Sequence, residues 1–412
     1  MSKMENRPIA VIVTGAGAPG IQGTLYSLKQ NYDNRSFHVI GTDINDFVVG
    51  KYLCDEFCVI SPAKKEEEYL SDLMSICKDR NVKAILPQNT AELLLLAKHK
   101  KMFSDIGVGI VVSNYDAIEK ANNKYKLFQI AESLNIPVAK YSLVSTFTDL
   151  KNEAIKLGWP RNKFVVKPPL SNGSRGVRVI AQDFDRKKTF YEEKPSSLYT
   201  TIDELHAVLG DEFPELIVME YLPGEEYTVD VCRLGNEIIA LPRKRLAIRS
   251  GITFAASLEK NDFLISASQK LAENLGLNFC FGFQYKLHED GRPLLLESNP
   301  RIQGTMVMST FAGANIIYNS VKYLLGETKA PSDMLTPRPL PCSNPSIDKR
   351  RLYVPCSNSD SFKTNAPAPA LSVFCSGNAS LYERNALSSL RKGSRNKYPL
   401  YFLKTKSTGV IL

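Results

Sequence analysis

At 412 residues the chain is long enough for two or three domains with cores of their own, and no uninterrupted apolar run approaches the length needed to cross a bilayer. Eight cysteines without a C-x-x-C pair read as scattered reduced thiols rather than a disulfide framework or zinc site, and four histidines, none in a triad-like context, give His-based hydrolysis little support. The formal charge of +9 points toward nucleic acid only until it is divided: residues 331–412 hold twelve Lys or Arg against four Asp or Glu, leaving +1 for residues 1–330. The opening residues, MSKMENRP, lack the apolar centre of a signal peptide, so a cytoplasmic protein is expected.

Ile9 to Thr14 reads as an apolar strand, followed by Gly15-x-Gly17-x-x-Gly20 and a helix from about Ile21 to Gln30. A second strand, Val39 to Thr42, ends in Asp43. That is the dinucleotide fingerprint, and it establishes a doubly wound βαβ unit, with the cofactor a separate question. A helix over Glu66–Cys77, a strand over Ala84–Pro87, a helix over Ala91–Lys98 and a strand over Val108–Val112 continue the alternation. Gln88-Asn89-Thr90 stands at a strand's carboxyl end, where open sheets place ligands; Asn89 or Thr90 is at least as well read as the N-cap of the next helix.

A second unit opens near Asn122, with Leu127, Ile130, Ala131 and Leu134 at helical spacing and Pro137 as the stop. Lys124 in the first turn opposes the helix dipole, which an anionic ligand or simple solvation would explain. Residues 164–259 read mostly as strands. Within them Phe164 to Pro168, FVVKP, brings Lys167 to a strand end just before Ser171 to Gly176, SNGSRG, whose small residues let N–H groups approach phosphate oxygens. Ile217 to Leu222, IVMEYL, is an apolar strand entering Pro223-Gly224 before Glu225 and Glu226; a slot, a turn and an acid suit a purine and its ribose. In Arg243 to Phe254, RKRLAIRSGITF, Arg249 with Gly251 is the preferred partner for an acidic acceptor, against an exposed ribbon. A helix over Asp262–Leu275 and a strand over Cys280–Leu287 follow. Next comes PLLLESNPRIQ, in which Glu297, Asn299 and Arg301 are two apart and so share a face. Carboxylate and amide oxygens suit magnesium beside phosphates, and the guanidinium suits a phosphoryl or carboxyl group. Gln303 is a further candidate for holding a carboxylate, and a last helix is expected from about Gly304 to Leu325.

In this order Lys124, Lys167 with its glycine loop, Met219-Glu220-Tyr221-Leu222, Glu226, Gln284 and the E-x-N-P-R run resemble the ATP-grasp superfamily, nearest its carbamoyl-phosphate synthase large chain and biotin carboxylase branch, over roughly residues 7–327. The resemblance implies α/β and α+β architecture. It divides into a Rossmann-like N-terminal domain over residues 1–114, a two-lobed ATP-grasp domain over 115–330 and a basic Pro/Ser-rich extension over 331–412. It implies that Lys124 and Lys167 hold the α- and β-phosphates and that the loop carrying Ser171, Gly173, Ser174 and Gly176 closes over the triphosphate. Backbone groups at Glu220, Tyr221 and Leu222 would meet adenine and Glu226 the ribose. Gln284, Glu297 and Asn299 would bind Mg²⁺, or Mn²⁺ in its place, with Arg301 facing the phosphoryl group in flight.

The activity so implied is an ATP-dependent carboxylate–amine ligase acting on small molecules, with neither membrane nor nucleic acid as partner and a homo-oligomer left open. The single ATP unit, and the lack of an A-M-K-M-like biotinyl segment, separate the chain from both named branches. Two other readings stay open: an NAD-dependent oxidoreductase using Gly15, Gly17, Gly20 and Asp43, and a nucleotide-binding regulator without turnover.

Overall fold

A computed structural model of the chain describes residues 8–171, 173–192, 198–249 and 251–327, with the backbone of 373–374. The chain divides into two compact units, Met1–Val373 and Phe374–Leu412, and the description that follows is of the first. The basic extension expected over 331–412 lies outside the described residues apart from that two-residue backbone segment.

The first sheet is parallel, in the order β3-β2-β1-β4-β5, from β1 (Ile9–Thr14), β2 (Phe37–Asp43), β3 (Glu56–Val59), β4 (Ala84–Leu86) and β5 (Gly109–Ile110). Its inner strands β1 and β4 are almost wholly apolar because both faces are covered. Val11, Val13, Val39 and Leu86 pack toward the helices Ile21–Lys29 and Ile316–Leu324. The alternate residues Ile12, Ile40 and Ile85 pack toward Glu66–Asp79 and Thr90–Lys98. The edge strand β3 and the short 3₁₀ turn Val49–Tyr52 before it were not anticipated; EFCV is too short and too polar to announce itself.

The second sheet runs β6-β10-β7-β8-β9, from β6 (Tyr141–Thr146), β7 (Phe164–Lys167), β8 (Arg178–Ile180), β9 (Tyr199–Thr200) and β10 (Glu212–Glu220). Helices Arg186–Glu192 and Ile202–Leu209 interrupt what the sequence suggested was mostly strand; the second begins in a capping box between Thr201 and Glu204. The third sheet is antiparallel. Over residues 226–299 it runs β15-β14-β11-β12-β13, from β11 (Glu226–Leu234), β12 (Glu237–Arg249), β13 (Ile252–Leu258), β14 (Phe279–Leu287) and β15 (Pro293–Asn299). Helix Asp262–Leu275 buries Leu264, Leu271 and Leu275 on Val229, Phe281 and Phe283 of this sheet and stops at Gly276 in the left-handed region.

After β15 the chain returns to the first sheet. The single helix expected over 304–325 is two, Val307–Phe311 and Ile316–Leu324, separated where Gly313 takes φ +95° and Asn315 caps the second. Met306, Ile316 and Tyr318 share a core with Val11, Leu25 and Phe37, and with Cys232 and Phe279 of the third sheet. This shared core fixes the end of β15 against the N-terminal glycine turn: a Cβ placed on Gly20 would lie 2.6 Å from Gly304 Cα.

Candidate active site

Elements from all three sheets wall a cavity of about 910 Å³. Lys124, Lys167, Ser171, Gly173, Ser174, Glu220, Tyr221, Leu222, Glu226, Gln284, Glu297, Asn299, Arg301 and Gln303 all line it, so residues scattered over the sequence converge in one place. Gly176 does not line it. At φ +73° its missing Cβ would meet Pro168 Cγ at 2.6 Å, so its role is to let the loop fold back on the residue after Lys167. The backbone of Arg249 pairs with Ile252, but its side chain lies outside the described residues.

Lys124 opens the helix Lys124–Ser133, whose N–H groups at Tyr125 and Lys126 are capped by the Asn123 side chain. Its buried side chain turns away from solvent: Nζ donates to Ser171 O at 2.8 Å and lies 3.9 Å from Glu297 Oε2. Lys167, at the end of β7, is buried too; Nζ donates to Leu296 O at 3.1 Å and sits 5.0 Å from the Phe128 ring centroid. Burial, opposed by Glu297 and reinforced by Lys124, pushes the Lys167 ammonium down to about 7. Burial lowers Lys124 as well, with Glu297 opposing it. Arg301 lines the same cavity, its Nε donating to Thr90 Oγ1 at 3.0 Å and Nη1 to Ile302 O at 2.8 Å. Glu297 is the carboxylate whose charge acts on all three cations, so this end of the cavity carries more positive than negative charge.

Gln284 and Glu297 are directly paired across β14 and β15, which puts their side chains on one face, and Asn299 Nδ2 approaches Glu297 Oε1 at 3.5 Å. One carboxylate and two amides are a hard oxygen set suited to magnesium that also binds substrate phosphates. Among the described residues no cluster of three or more His, Cys, Asp or Glu side chains offers a rival metal site. At the apolar end, Val165, Val179, Met219, Leu222 and Leu296 form a slot beside Glu220. The Glu220 carboxylate accepts from Lys140 N and faces His288 Nε2 at 3.3 Å, while Asp290, with Glu220 behind it, raises the His288 pKa.

The structure adds Arg245 to the residues chosen from sequence. It is buried, donates to Glu226 Oε2 at 2.7 Å and to Gly251 O at 2.6 Å, and lies 3.4 Å from Gln284 Oε1; Lys286 contacts Glu226 from the other side at 3.1 Å. Arg243, two residues before, is wholly buried against Asp230. Register shifts after Arg245 and Ala247 break the alternation along β12, and Ile248 lines the cavity.

Asn89 is an N-cap in the structure, accepting from Ala91 N, and buried Glu92 accepts from the N–H groups of Gln88 and Asn89, although all three residues 88–90 also line the cavity. Asp43 faces inward on its own glycine turn, accepting from Gly17 N at 2.7 Å.

A family model described as ATP-grasp in the biosynthetic pathway with Ter operon matches residues 212–339, and one described as PylC-like, N-terminal domain, matches residues 11–111. The ATP-grasp match takes in β11 to β15, which carry Glu226, Gln284, Glu297 and Asn299. Among curated proteins this chain is similar to the carbamoyl phosphate synthase large chain of Clostridium acetobutylicum, 22% identical over 273 residues, which is 64% of this chain and 24% of that one. It therefore spans about a quarter of that relative's length. Among solved structures it is similar to a biotin carboxylase–β,γ-ATP complex from Campylobacter jejuni (TM-score 0.57, 16% identity, covering 78% of this chain and 72% of that one). It is likewise similar to N5-carboxyaminoimidazole synthetase from Staphylococcus aureus complexed with ADP (TM-score 0.56, 16% identity, 79% and 81% covered). At these identities the two structures establish the shared fold. The comparisons give the oxidoreductase reading no support.

Proposed function

We propose that this chain is an ATP-grasp enzyme, an ATP- and magnesium-dependent ligase that activates a small-molecule carboxylate as an acyl phosphate for attack by an amine. The observation that carries the reading is the convergence of buried Lys124 and Lys167, beside the loop at Ser171, with Glu297, Asn299 and Arg301 in one cavity. Two buried ammonium groups sharing one carboxylate are costly unless a polyanion joins them, and a triphosphate supplies that charge.

In this reading the slot at Met219 and Leu222 takes adenine, Glu226, held by Arg245 and Lys286, takes the ribose, and the two lysines orient the phosphates. Gln284, Glu297 and Asn299 would hold Mg²⁺ or Mn²⁺, which when bound neutralises phosphate charge. The substrate carboxylate attacks the γ-phosphorus in line: a new O–P bond forms, the bond to the β–γ bridging oxygen breaks, and ADP departs. Arg301 offsets charge on the migrating phosphoryl group, and closure of loop 171–176 keeps water from the acyl phosphate. The amine nitrogen then forms the C–N bond, the C–O bond to phosphate breaks, and the proton lost by nitrogen leaves with the phosphate.

The division into domains at 1–114 and 115–330 belongs to the same reading, as does a cytoplasmic location; among the described residues no helix is long and apolar enough to cross a membrane. The test is trapping. Wild-type protein with MgATP, hydroxylamine and a panel of carboxylates should give a hydroxamate with one of them, together with stoichiometric ADP. ATP bound without ADP or hydroxamate across the panel would defeat the ligase reading and leave a nucleotide-binding protein.

A further inference from the structure

The turn between β4 and the helix Thr90–Lys98 is fixed in place by one buried carboxylate. Glu92 stands in that helix's first turn. An acid at this position ordinarily accepts from the N–H of the capping residue and needs nothing more. On Glu92 four donors converge. Thr14 Oγ1 at 2.6 Å, Asn89 N at 2.9 Å and Gln88 N at 3.2 Å meet Oε1, and Tyr69 Oη at 2.6 Å meets Oε2. Burial raises the Glu92 pKa, and those donors oppose the rise. The turn is pinned on its flank as well, where Gln88 Oε1 accepts from Thr24 Oγ1 at 2.9 Å. The end of β1 and the helices Ile21–Lys29 and Glu66–Asp79 thus all hold residues 88–89 in one arrangement.

The residue this arrangement delivers is Thr90. Arg301 Nε donates to Thr90 Oγ1 at 3.0 Å, and Nη1 donates to Ile302 O at 2.8 Å. Nη2 makes no hydrogen bond among the described residues, so one edge of the guanidinium is held while the other stays available in the cavity. Burial lowers the Arg301 pKa, and the charges of Glu297 and Glu92 oppose that. Glu92 therefore bears on Arg301 twice, through the turn and through its charge.

We propose that Thr90 is a positioning residue for phosphoryl transfer: it fixes the Nε edge of Arg301 so that the other edge meets the migrating group, and buried Glu92 holds the turn that carries Thr90. The inference rests on the ligase reading for the role of Arg301, while the hydrogen-bond chain from Glu92 to Arg301 stands apart from it. A residue that only started the helix would have no use for a second backbone N–H and two hydroxyls from other elements, gathered beside the residue that holds Arg301.

Two readouts on the full chain test it. In nitrogen-correlated NMR spectra of the arginine side chains, the Arg301 Nε–H peak is assigned by its loss in Arg301→Lys. Its hydrogen exchange should be at least about tenfold faster in Thr90→Val, which keeps the shape and removes the acceptor, and should return to the wild-type rate in Thr90→Ser. With MgADP, retention of tetrafluoroaluminate as a mimic of the phosphoryl group in flight is followed by fluorine NMR. Thr90→Val and Glu92→Gln should each weaken it about tenfold while MgADP affinity moves less than about twofold. Added to Arg301→Ala, neither should cost anything further, because both act through that side chain. If Glu92→Gln fails to fold by circular dichroism, Tyr69→Phe, which removes one donor from Glu92, takes its place with an expected loss of about threefold. Unchanged Arg301 Nε–H exchange in Thr90→Val, fluoroaluminate retained within about twofold of wild type, or a loss that persists in the Arg301→Ala background overturns the proposal. The hydroxamate assay separates the two claims. Hydroxamate from wild-type protein together with any of those results overturns this inference alone, and the predicted results without hydroxamate support the positioning of Arg301 while overturning the amine-ligase reading.

Discussion

Two glycine-containing turns face one cavity, Gly15–Gly20 and Ser171–Gly176, and their hydrogen bonds set them apart. At Ser171 the backbone carbonyl accepts from buried Lys124, Gly173, Ser174 and Gly176 take left-handed backbone, and the lysines beneath share one carboxylate between them. At Gly15–Gly20 the N–H groups of Ala16, Gly17 and Ala18 go to Thr42 O, the Asp43 side chain and Gly15 O. One site holds more cations than its single carboxylate balances, and the other turns a carboxylate back on its own backbone. Glycine content therefore predicts a tight turn in both places, but only the accounting of donors and charges says what each turn receives.

The comparison breaks most readily at the metal strand. Glu297→Gln removes the carboxylate that faces Lys124 and Lys167, and turnover should fall at least a hundredfold while the ATP dissociation constant moves less than about fivefold, read from steady-state kinetics and calorimetry. Lys167→Ala should do the reverse. It should weaken ATP by roughly thirtyfold to a hundredfold through loss of a buried charge at the phosphates, with stability unchanged or improved, since the free protein carries that charge at a cost.

The same lysine makes a pH test. In the free protein Lys167 is held down to about 7, well below an ordinary lysine, so above that pH it is largely neutral, and a bound polyanion restores its charge. Binding at pH 8 should therefore take up close to one proton and binding at pH 6 close to none, measured by calorimetry in buffers of differing ionisation enthalpy. ATP affinity should fall as pH rises from 7 to 8, by about threefold to tenfold. Gly20→Val probes the other turn. A Cβ there would lie 2.6 Å from Gly304 Cα, so the variant should lose ~1–3 kcal/mol of stability by thermal or urea denaturation, a packing effect that NAD does not reverse.

Much of this was legible in sequence where the relevant residues are contiguous. The βαβ start, the strand ending in Lys167 and the alternation through Glu297 and Asn299 each lie within one short run, with Arg301 just past the strand's end, and the apolar run of β1 announces two covered faces. Legibility failed where register or context decides. Arg243 and Arg245 look equivalent by parity, yet Arg243 is spent on Asp230 while Arg245 reaches Glu226 at the cavity, and two register shifts break the alternation of β12 beyond them. The capping box at Thr201 and Glu204 was readable and marks a helix inside a stretch otherwise suggestive of strands. The break at Gly313 is announced by a glycine followed by Asn315, but an apolar pattern on either side masks it. That Asp43 turns back on Gly17 is invisible in sequence, where it has the position of a ribose-binding acid.

The central claim is that nucleotide binds at the buried lysines and not at the N-terminal glycine turn. Side-by-side calorimetric titration of the wild-type chain with MgATP and with NAD tests it most directly. The account predicts saturable MgATP binding that Lys167→Ala weakens and no saturable heat from NAD at millimolar concentration; tight NAD binding with no detectable MgATP binding would contradict it.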